Sequence, residues 1–117
     1  MKHFSKPLNI DPVGIRQDQA LDEAEEILSS PGAGEWFIVP YTSTSVACTL
    51  YFSEGGSGFI QTTNDLYENV VNNTAIPEDW DYGIINTSTT KYCEAVKAIR
   101  LVNVSGTVRM VLLSRIV

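Results

Sequence analysis

The chain has 117 residues and a mass of 12.9 kDa, with 44% hydrophobic and 19% charged residues and a net charge of −6. This size and composition predict one globular domain and exclude a wholly disordered chain. The acidity argues against direct nucleic-acid binding, the single histidine (His3) against histidine-based catalysis and most zinc sites, and the lack of an apolar run of roughly 20 residues against a membrane span. The first twelve residues also lack the apolar core of a secretory signal.

Residues 1–16 predict an extended N-terminal arm. Pro7 and Pro12 disfavour helical backbone in the residues before them, and no periodicity runs through the segment. A frayed terminus is the alternative. The apolar side chains of the arm favour a groove, on this subunit or on a neighbour, and we predict that they bind a partner: Phe4, Leu8, Ile10, Val13 and Ile15.

Residues 17–29 predict one short N-terminal helix, the first element of a single domain that spans residues 17–117. The apolar residues of this segment fall on one helical stripe, acidic residues lie early, and Pro31 and Gly32 follow its end. We expect the stripe to cover the core of its own domain. A partner-binding helix is the alternative.

From residue 34 onward the pattern is typical of β-structure. Residues 35–41 and 80–86 are short strand candidates, and residues 45–52 alternate as a half-buried strand does. Residues 53–58 predict a turn, and residues 58–63 predict the returning strand of a hairpin. Residues 65–73 favour either one helical turn or an irregular crossover.

The C-terminal region predicts a second hairpin. Residues 92–104 and 107–117 are apolar strand candidates, and Ser105-Gly106 between them suits a two-residue turn because glycine adopts positive φ. Short strands at this spacing predict a mainly β fold, an antiparallel β-sandwich or small barrel, with the arm and the short helix before it.

Few residues offer chemistry. Cys48 and Cys93 are expected to be reduced and buried, although a single bridge between them stays open. The acidic residues 78–81 are interpreted as a solvated loop because the spaced ligands of a calcium loop are missing. Seven aromatic residues suggest a carbohydrate platform, with core packing as the favoured alternative: Trp36, Tyr41, Tyr51, Tyr67, Trp80, Tyr82 and Tyr92. We predict no catalytic residue, no metal and no cofactor, and hence no enzyme.

The charges are distributed unevenly. Residues 1–16 carry +2, residues 17–90 carry −12 without any lysine or arginine, and residues 91–117 carry +4. Either the basic ends pair with the acidic middle within one molecule, or a basic face of one subunit meets an acidic face of another and sets their orientation. For the second case we predict that four basic residues bind a partner: Lys97, Arg100, Arg109 and Arg115.

Three stretches together carry a resemblance to a known class of proteins: ALDEAEEILSSPGAGEWFIVP (20–40), TTNDLYENVVNNTAIPEDWDYG (62–83) and VKAIRLVNVSGTVRMVLLSR (96–115). The chain resembles small β-rich virion structural proteins of tailed bacteriophages. The resemblance implies a non-enzymatic capsid cement (decoration) protein that is assembled in the host cytoplasm and stabilises the head by binding between capsid subunits. A head–tail connector, tail or spike-base subunit is the alternative, and a carbohydrate-binding β-sandwich is a third.

The expected partners of such a subunit follow from the same resemblance. They are the major capsid protein or other virion subunits, together with copies of the chain itself in a dimer or trimer.

Overall fold

The computed structural model describes residues 2–4, 6–7, 20–40 and 43–116, and most of this backbone is β-structure. The strands are β1 (Lys2–His3), β2 (Lys6–Pro7), β3 (Ala20–Leu28), β4 (Gly32–Ala33), β5 (Phe37–Ile38), β6 (Ser43–Thr63), β7 (Glu78–Asp79), β8 (Thr89–Cys93) and β9 (Ala98–Ile116), and the helix is α1 (Tyr67–Val71). The mainly β prediction is therefore confirmed. Four of the predicted arm residues, Leu8, Ile10, Val13 and Ile15, lie outside the described residues.

Two long strands organise one sheet. Strands β6 and β9 pair antiparallel along almost their whole length. Strands β3, β4 and β5 pair with the other edge of β9, whereas β8 and β7 pair with the other edge of β6. Strand β2 extends the sheet from β3, and β1 joins β5 in parallel. Over the described residues the sheet is mixed and open, and it does not close into a barrel.

The two long strands bend sharply near their middles. A straight strand of 21 residues, the length of β6, would span about 69 Å at ~3.3 Å per residue, whereas the longest dimension of the molecule is 41 Å. The register between β6 and β9 shifts between Ser53 and Gly58, and Glu54, Gly55 and Gly106 have positive φ. Bulges of this kind bend a strand and increase its twist. Both long strands are therefore bent at this point.

Glycine is required where the two backbones meet in the bend. A Cβ on Gly106 would lie 2.6 Å from the carbonyl oxygen of Glu54, and a Cβ on Gly58 would lie 2.5 Å from the carbonyl oxygen of Val102. Neither contact is possible for a side chain. These glycines permit a close backbone approach in addition to the positive φ of Gly106.

Both predicted hairpins are wrong. Residues 53–58 form a bulge inside the continuous strand β6, and residues 105–106 form the facing irregularity inside β9. Glycine-rich segments with positive φ serve chain reversals and bulges equally well. What decides between them is the pairing of β6 with β9 over a separation of some fifty residues, which no local pattern reveals.

The predicted helix is also wrong over Ala20–Leu28, which is strand β3. This strand pairs with β9 residue for residue, from Ala20 opposite Ile116 to Leu28 opposite Val108. A nine-residue ladder outweighs the modest helix propensity of an Ala/Glu/Leu sequence. Helix α1 agrees with the helical-turn alternative for residues 65–73. No helix among the described residues has the length and apolarity to cross a membrane.

The remaining strand candidates are shorter in the structure than predicted, or are not strands. Of the predicted strand at residues 35–41, the structure describes residues 35–40, and among these only Phe37–Ile38 pair as a strand. Residues 80–86 form turns with a single bridge from Ile85 to Gly58, so the predicted strand there is wrong. Trp80 is buried in this segment, and its Nε1 donates a hydrogen bond to the carbonyl oxygen of Gly83 at 2.6 Å.

The bend divides the sheet into two halves. The open half consists of β3, β8 and residues 43–53 and 107–116. The covered half consists of β4, β5, β7 and residues 57–63 and 98–105. Side chains from both halves share one buried cluster, which includes Val46, Cys48, Leu50, Met110 and Leu112 from the open half and Phe37, Ile60, Ile99 and Leu101 from the covered half. The two halves therefore contribute side chains to one common core.

A second, smaller cluster covers the opposite face of the covered half. Trp36, Val70 of α1, Ala75 and Ala98 are buried together there. The segment that carries α1 is fastened to the sheet by Thr63, whose hydroxyl donates to the carbonyl oxygen of Ile76 at 2.9 Å. The covered half is thus enclosed on both sides near Ala98.

Candidate functional site: the outer face of the open half

The open half exposes a continuous sheet surface, which we call the outer face. It consists of three cross-strand rows: Ile27–Arg109–Tyr51, Glu25–Val111–Thr49–Thr90 and Glu23–Leu113–Ala47–Tyr92. In β6 and β9 the residues between these positions point into the buried cluster, for instance Leu50 and Met110. Strand alternation therefore fixes which side chains form the outer face.

Large hydrophobic side chains are exposed on the outer face. Tyr92 is 71%, Ile27 54% and Tyr51 44% exposed, and Val111 and Leu113 between them are only partly buried. Neither buried cluster contains any of these residues. Single exposed hydrophobic residues are ordinary, but a contiguous set on a flat sheet is typical of an interaction surface.

Polar contacts hold the charged and hydroxyl groups of the outer face in place. The Nε of Arg109 donates to Glu25 Oε2 at 2.6 Å, and its guanidinium lies 5.2 Å from the ring centre of Tyr51. The hydroxyls of Thr49 and Thr90 are 2.8 Å apart. A half-exposed pair such as Arg109–Glu25 contributes about 0–1 kcal/mol to stability. Its consequence is a fixed charge pattern beside an apolar surface.

Only one of the predicted basic partner-binding residues belongs to the outer face as the structure describes it, namely Arg109. Lys97 and Arg100 lie at or in the covered half, with the Lys97 Nζ 5.2 Å from the ring centre of Tyr67 and the Arg100 guanidinium 4.4 Å from that of Trp36. Arg115 lies in β9 opposite Leu21 and Ser45, and its side chain is outside the description. The structure therefore does not bring the four basic residues together.

The start of the predicted arm packs against its own chain. The ring of Phe4 meets the ring of Phe37 edge-on, with their centres 6.5 Å apart, and the backbone nitrogen of Lys2 donates to the carbonyl oxygen of Trp36. Lys2 Nζ also binds Glu26 Oε2 at 2.8 Å, and this hydrogen bond raises the pKa of Lys2. Residues 2–4 are thereby anchored to the covered half.

Among the described residues, three ion pairs join the basic ends of the sequence to its acidic middle within one molecule. They are Lys2–Glu26, Lys91–Asp81 and Arg109–Glu25. The hydrogen bond from Lys91 lowers the pKa of Asp81. For these three pairs the intramolecular interpretation of the uneven charge is confirmed.

A pocket of about 520 Å³ lies beside Glu26 at the edge of the sheet and is also lined by Trp36 and Val70. The side chain of Glu26 is 5% exposed, and among the described residues neither its Oε1 nor the Nε1 of Trp36 has a hydrogen-bond partner. A Cβ on Gly34 would collide with Glu26 Oε1, so a side chain at this position would displace the Glu26 carboxylate. Both polar atoms are shielded from solvent, so the pocket is a less accessible site than the outer face.

The remaining candidates from the sequence are placed as follows. Trp80 is buried, whereas Tyr82 is 46% exposed and its ring leans on Trp80 with the ring centres 5.1 Å apart. Glu78 and Asp79 form β7 against β6. Within the described part of the chain, no three His, Cys, Asp or Glu side chains gather as a possible metal site.

Most of the outer face escaped the sequence-based predictions. The alternation in residues 45–52 places Ala47, Thr49 and Tyr51 on one side of a strand, which was a usable signal. The contribution of Glu25 and Ile27 was hidden because their segment was interpreted as a helix.

No protein-family model, curated protein or solved structure matches this chain. The resemblance to phage virion proteins accordingly depends on the three sequence stretches alone.

Proposed function

We propose that this chain is a non-enzymatic structural subunit of a bacteriophage virion, and specifically a capsid cement protein that binds between capsid subunits. The observation that carries the proposal is the outer face, a sheet surface with exposed Ile27, Tyr51 and Tyr92. The three resembling sequence stretches supply the class of partner, the major capsid protein. A subunit that binds only the assembled shell stabilises it by mass action.

The outer face alone is too small for a standard protein–protein interface, so other residues must contribute to the contact. Four strands at ~4.8 Å spacing and three rows at ~6.8 Å give a footprint of about 400 Å², roughly half of the ~800 Å² that each partner buries in a standard interface. The apolar arm residues Leu8, Ile10, Val13 and Ile15 supply the remainder in our proposal. They extend the contact onto a neighbouring subunit.

The proposal is tested by binding to capsids assembled from the major capsid protein of the same genome. Ile27→Asp replaces an exposed apolar side chain of the outer face with a charge, and co-sedimentation should show binding weakened about tenfold or more. Ile84→Asp is the matched control, because Ile84 is similarly exposed, at 63%, but lies away from the outer face. If both variants bind as the unmodified chain does, the outer face is not the docking surface.

The same assay separates the alternative role. A connector, tail or spike-base subunit would bind purified tails or connectors and would be present in few copies per virion. A cement protein would bind the shell and be present in many copies. Copy number measured by quantitative mass spectrometry of virions therefore decides between them.

Self-association is a further part of the proposal. We expect a dimer or trimer in which the arm of one copy lies on another. Light scattering should then show a smaller assembly when Leu8, Ile10, Val13 and Ile15 are all replaced by Ser. The anchored residues Lys2 and Phe4 stay unchanged in that variant, so a loss of mass reports on the arm beyond them. Equal masses for both proteins would refute arm exchange.

For the fold, we propose that the two halves form the two layers of a sandwich made from one folded sheet. The shared buried cluster supports two facing layers. The bulges at Gly55 and Gly106 take the place of the hairpins that usually connect such layers.

A further inference from the structure

The two cysteines of the chain lie side by side in the open half. Cys48 is in β6 and Cys93 is the last residue of β8, and their sulfur atoms are 3.6 Å apart. Both are free thiols, and both are buried. A disulfide needs a sulfur–sulfur distance of about 2.05 Å, so one thiol must move by roughly 1.5 Å.

Strand β8 is placed to allow that movement. Among the described residues it pairs only with β6, over the five positions from Val46 opposite Cys93 to Leu50 opposite Thr89. It is therefore an edge strand. Cys93 lies at its end, where pairing stops and the chain turns through Ala95, which has positive φ. A short edge strand opens at lower cost than the central strands β6 and β9.

The two thiols differ in access and in acidity. Cys93 lines a surface pocket of about 290 Å³ together with Val39, Tyr67 and Lys97, whereas Cys48 is fully buried behind it. The two sulfur atoms lie within hydrogen-bond distance of each other, and this interaction lowers the pKa of Cys93 and raises that of Cys48. Lys91, opposite Cys48 in the ladder, also lowers the pKa of Cys93. Thiolate character and access together make Cys93 the more reactive sulfur.

We propose that Cys93 and Cys48 form an attacking and resolving thiol pair that is oxidised to an intramolecular disulfide by low-molecular-weight disulfides. The Cys93 thiolate attacks one sulfur of the external disulfide, whose S–S bond breaks and releases one small thiolate. Cys48 loses its proton and attacks the Cys93 sulfur of the mixed disulfide, releasing the second small thiolate. The chain loses two electrons and two protons, and the external disulfide is reduced to two thiols.

The product would tie edge strand β8 to the central strand β6. The pocket suits an anionic disulfide such as oxidised glutathione because Lys97 lines it. If the proposed virion role holds, the bond would be absent during assembly in a reducing cytoplasm and would form after release. The chemistry itself concerns the isolated chain and does not depend on that role.

The test is incubation of the folded, reduced chain with oxidised glutathione, followed by intact mass and free-thiol titration. We expect a loss of two hydrogen atoms, no glutathione adduct, and a fall from two titratable thiols to none. Cys48→Ser should instead accumulate a glutathione adduct on Cys93, whereas Cys93→Ser should accumulate none. A folded chain that keeps both thiols under conditions that oxidise the urea-unfolded chain would overturn the proposal.

Because a buried serine can disturb folding, alkylation of the unmodified chain gives a second measurement. Peptide mapping after a short iodoacetamide pulse should show Cys93 labelled about tenfold or more faster than Cys48. Equal rates, or faster labelling of Cys48, would contradict the assigned roles. Failure in either assay leaves the capsid-binding test of the proposed function unaffected, so the two are distinguishable.

Discussion

The open half and the covered half are built on the same two strands, β6 and β9, but they differ in what lies on their outward sides. In the covered half, α1 and the residues after it fold back over the sheet and bury Ala98 against Val70 and Trp36. In the open half, β3 and β8 extend the sheet sideways, and Ile27 and Tyr92 stay exposed. The comparison teaches that the same pair of strands provides both a self-contained layer and a surface that is available to a partner.

The largest effect should come from the core that both halves share. Leu101 and Leu112 are fully buried, one in each half. Replacing either with Ala should lower the free energy of unfolding by about 2–5 kcal/mol. Because the halves share one cluster, urea unfolding should remain a single transition that tryptophan fluorescence and circular dichroism report at the same midpoint. A separate transition for one half would show that the halves are independent units.

The difference between the two outward sides can be measured with a matched pair of serine substitutions. Val70→Ser, in the cover of the covered half, should cost about 2–3 kcal/mol because it removes buried methyl groups and buries a hydroxyl. Tyr92→Ser, on the outer face, should change the free energy of unfolding by no more than about 0.5 kcal/mol. Equal costs in urea titrations would mean that the outer face is as important to the fold as the cover.

The bend that separates the halves offers a similar comparison between two glycines. Both Gly106 and Gly55 have positive φ, but only a Cβ on Gly106 would strike the facing backbone. Gly106→Ala should cost about 2 kcal/mol or more, and Gly55→Ala about 1 kcal/mol from the backbone conformation alone. Urea titrations of both variants provide the measurement. If the two variants are equally stable, the strands do not approach each other closely at Gly106.

The smallest expected effect is the pH dependence of the hydrogen bonds of Asp65, in the segment that carries α1 and covers the covered half. The carboxylate of Asp65 accepts hydrogen bonds from the backbone nitrogens of Ile76 and Leu66 and from the Asn69 side chain, and these lower its pKa, the bond from Ile76 most strongly. Its stabilising contribution is therefore present above the ordinary aspartate pKa of 3.8 and is lost as pH falls through the lowered folded value.

The chemical shift of the Ile76 amide, followed by NMR on acidification, tests this directly. It should titrate with a midpoint below 3.8, and Asp65→Asn should abolish the titration. Glu68→Gln, a change on the nearby helix α1, should leave the titration in place. A midpoint at or above 3.8 would show that the hydrogen bonds of Asp65 are not formed in solution.

The sequence-based predictions succeeded where the signal is local. The alternation of residues 45–52 correctly predicted the buried positions Val46, Cys48 and Leu50. The spacing of the short strand candidates predicted a mainly β chain. The predictions failed where pairing between residues that are distant in the sequence determines the secondary structure of a segment. Ala20–Leu28 has a helical stripe and no alternation of apolar and polar residues, and only the β9 ladder selects the strand.

The candidate site was harder to predict for the same reason. Arg109 was singled out by its charge. Its neighbours on the outer face come from β3, β6 and β8, and no spacing in the sequence indicates that these strands lie side by side. The glycines of the bend were recognised as special, but a bulge and a hairpin turn require the same residue type. Neither the bend of the sheet nor the outer face could therefore be predicted before the strand pairing was known.

The central claim is that the outer face of the open half docks onto another virion subunit while the covered half stays free. Hydroxyl-radical footprinting of the chain, free and bound to capsids, tests it with four tyrosines. Tyr51 and Tyr92 lie on the outer face, and the comparably exposed Tyr67 and Tyr82 lie elsewhere. We predict that binding protects Tyr51 and Tyr92 from oxidation and leaves Tyr67 and Tyr82 unchanged. Protection of Tyr67 and Tyr82 with Tyr51 and Tyr92 still reactive would contradict the claim.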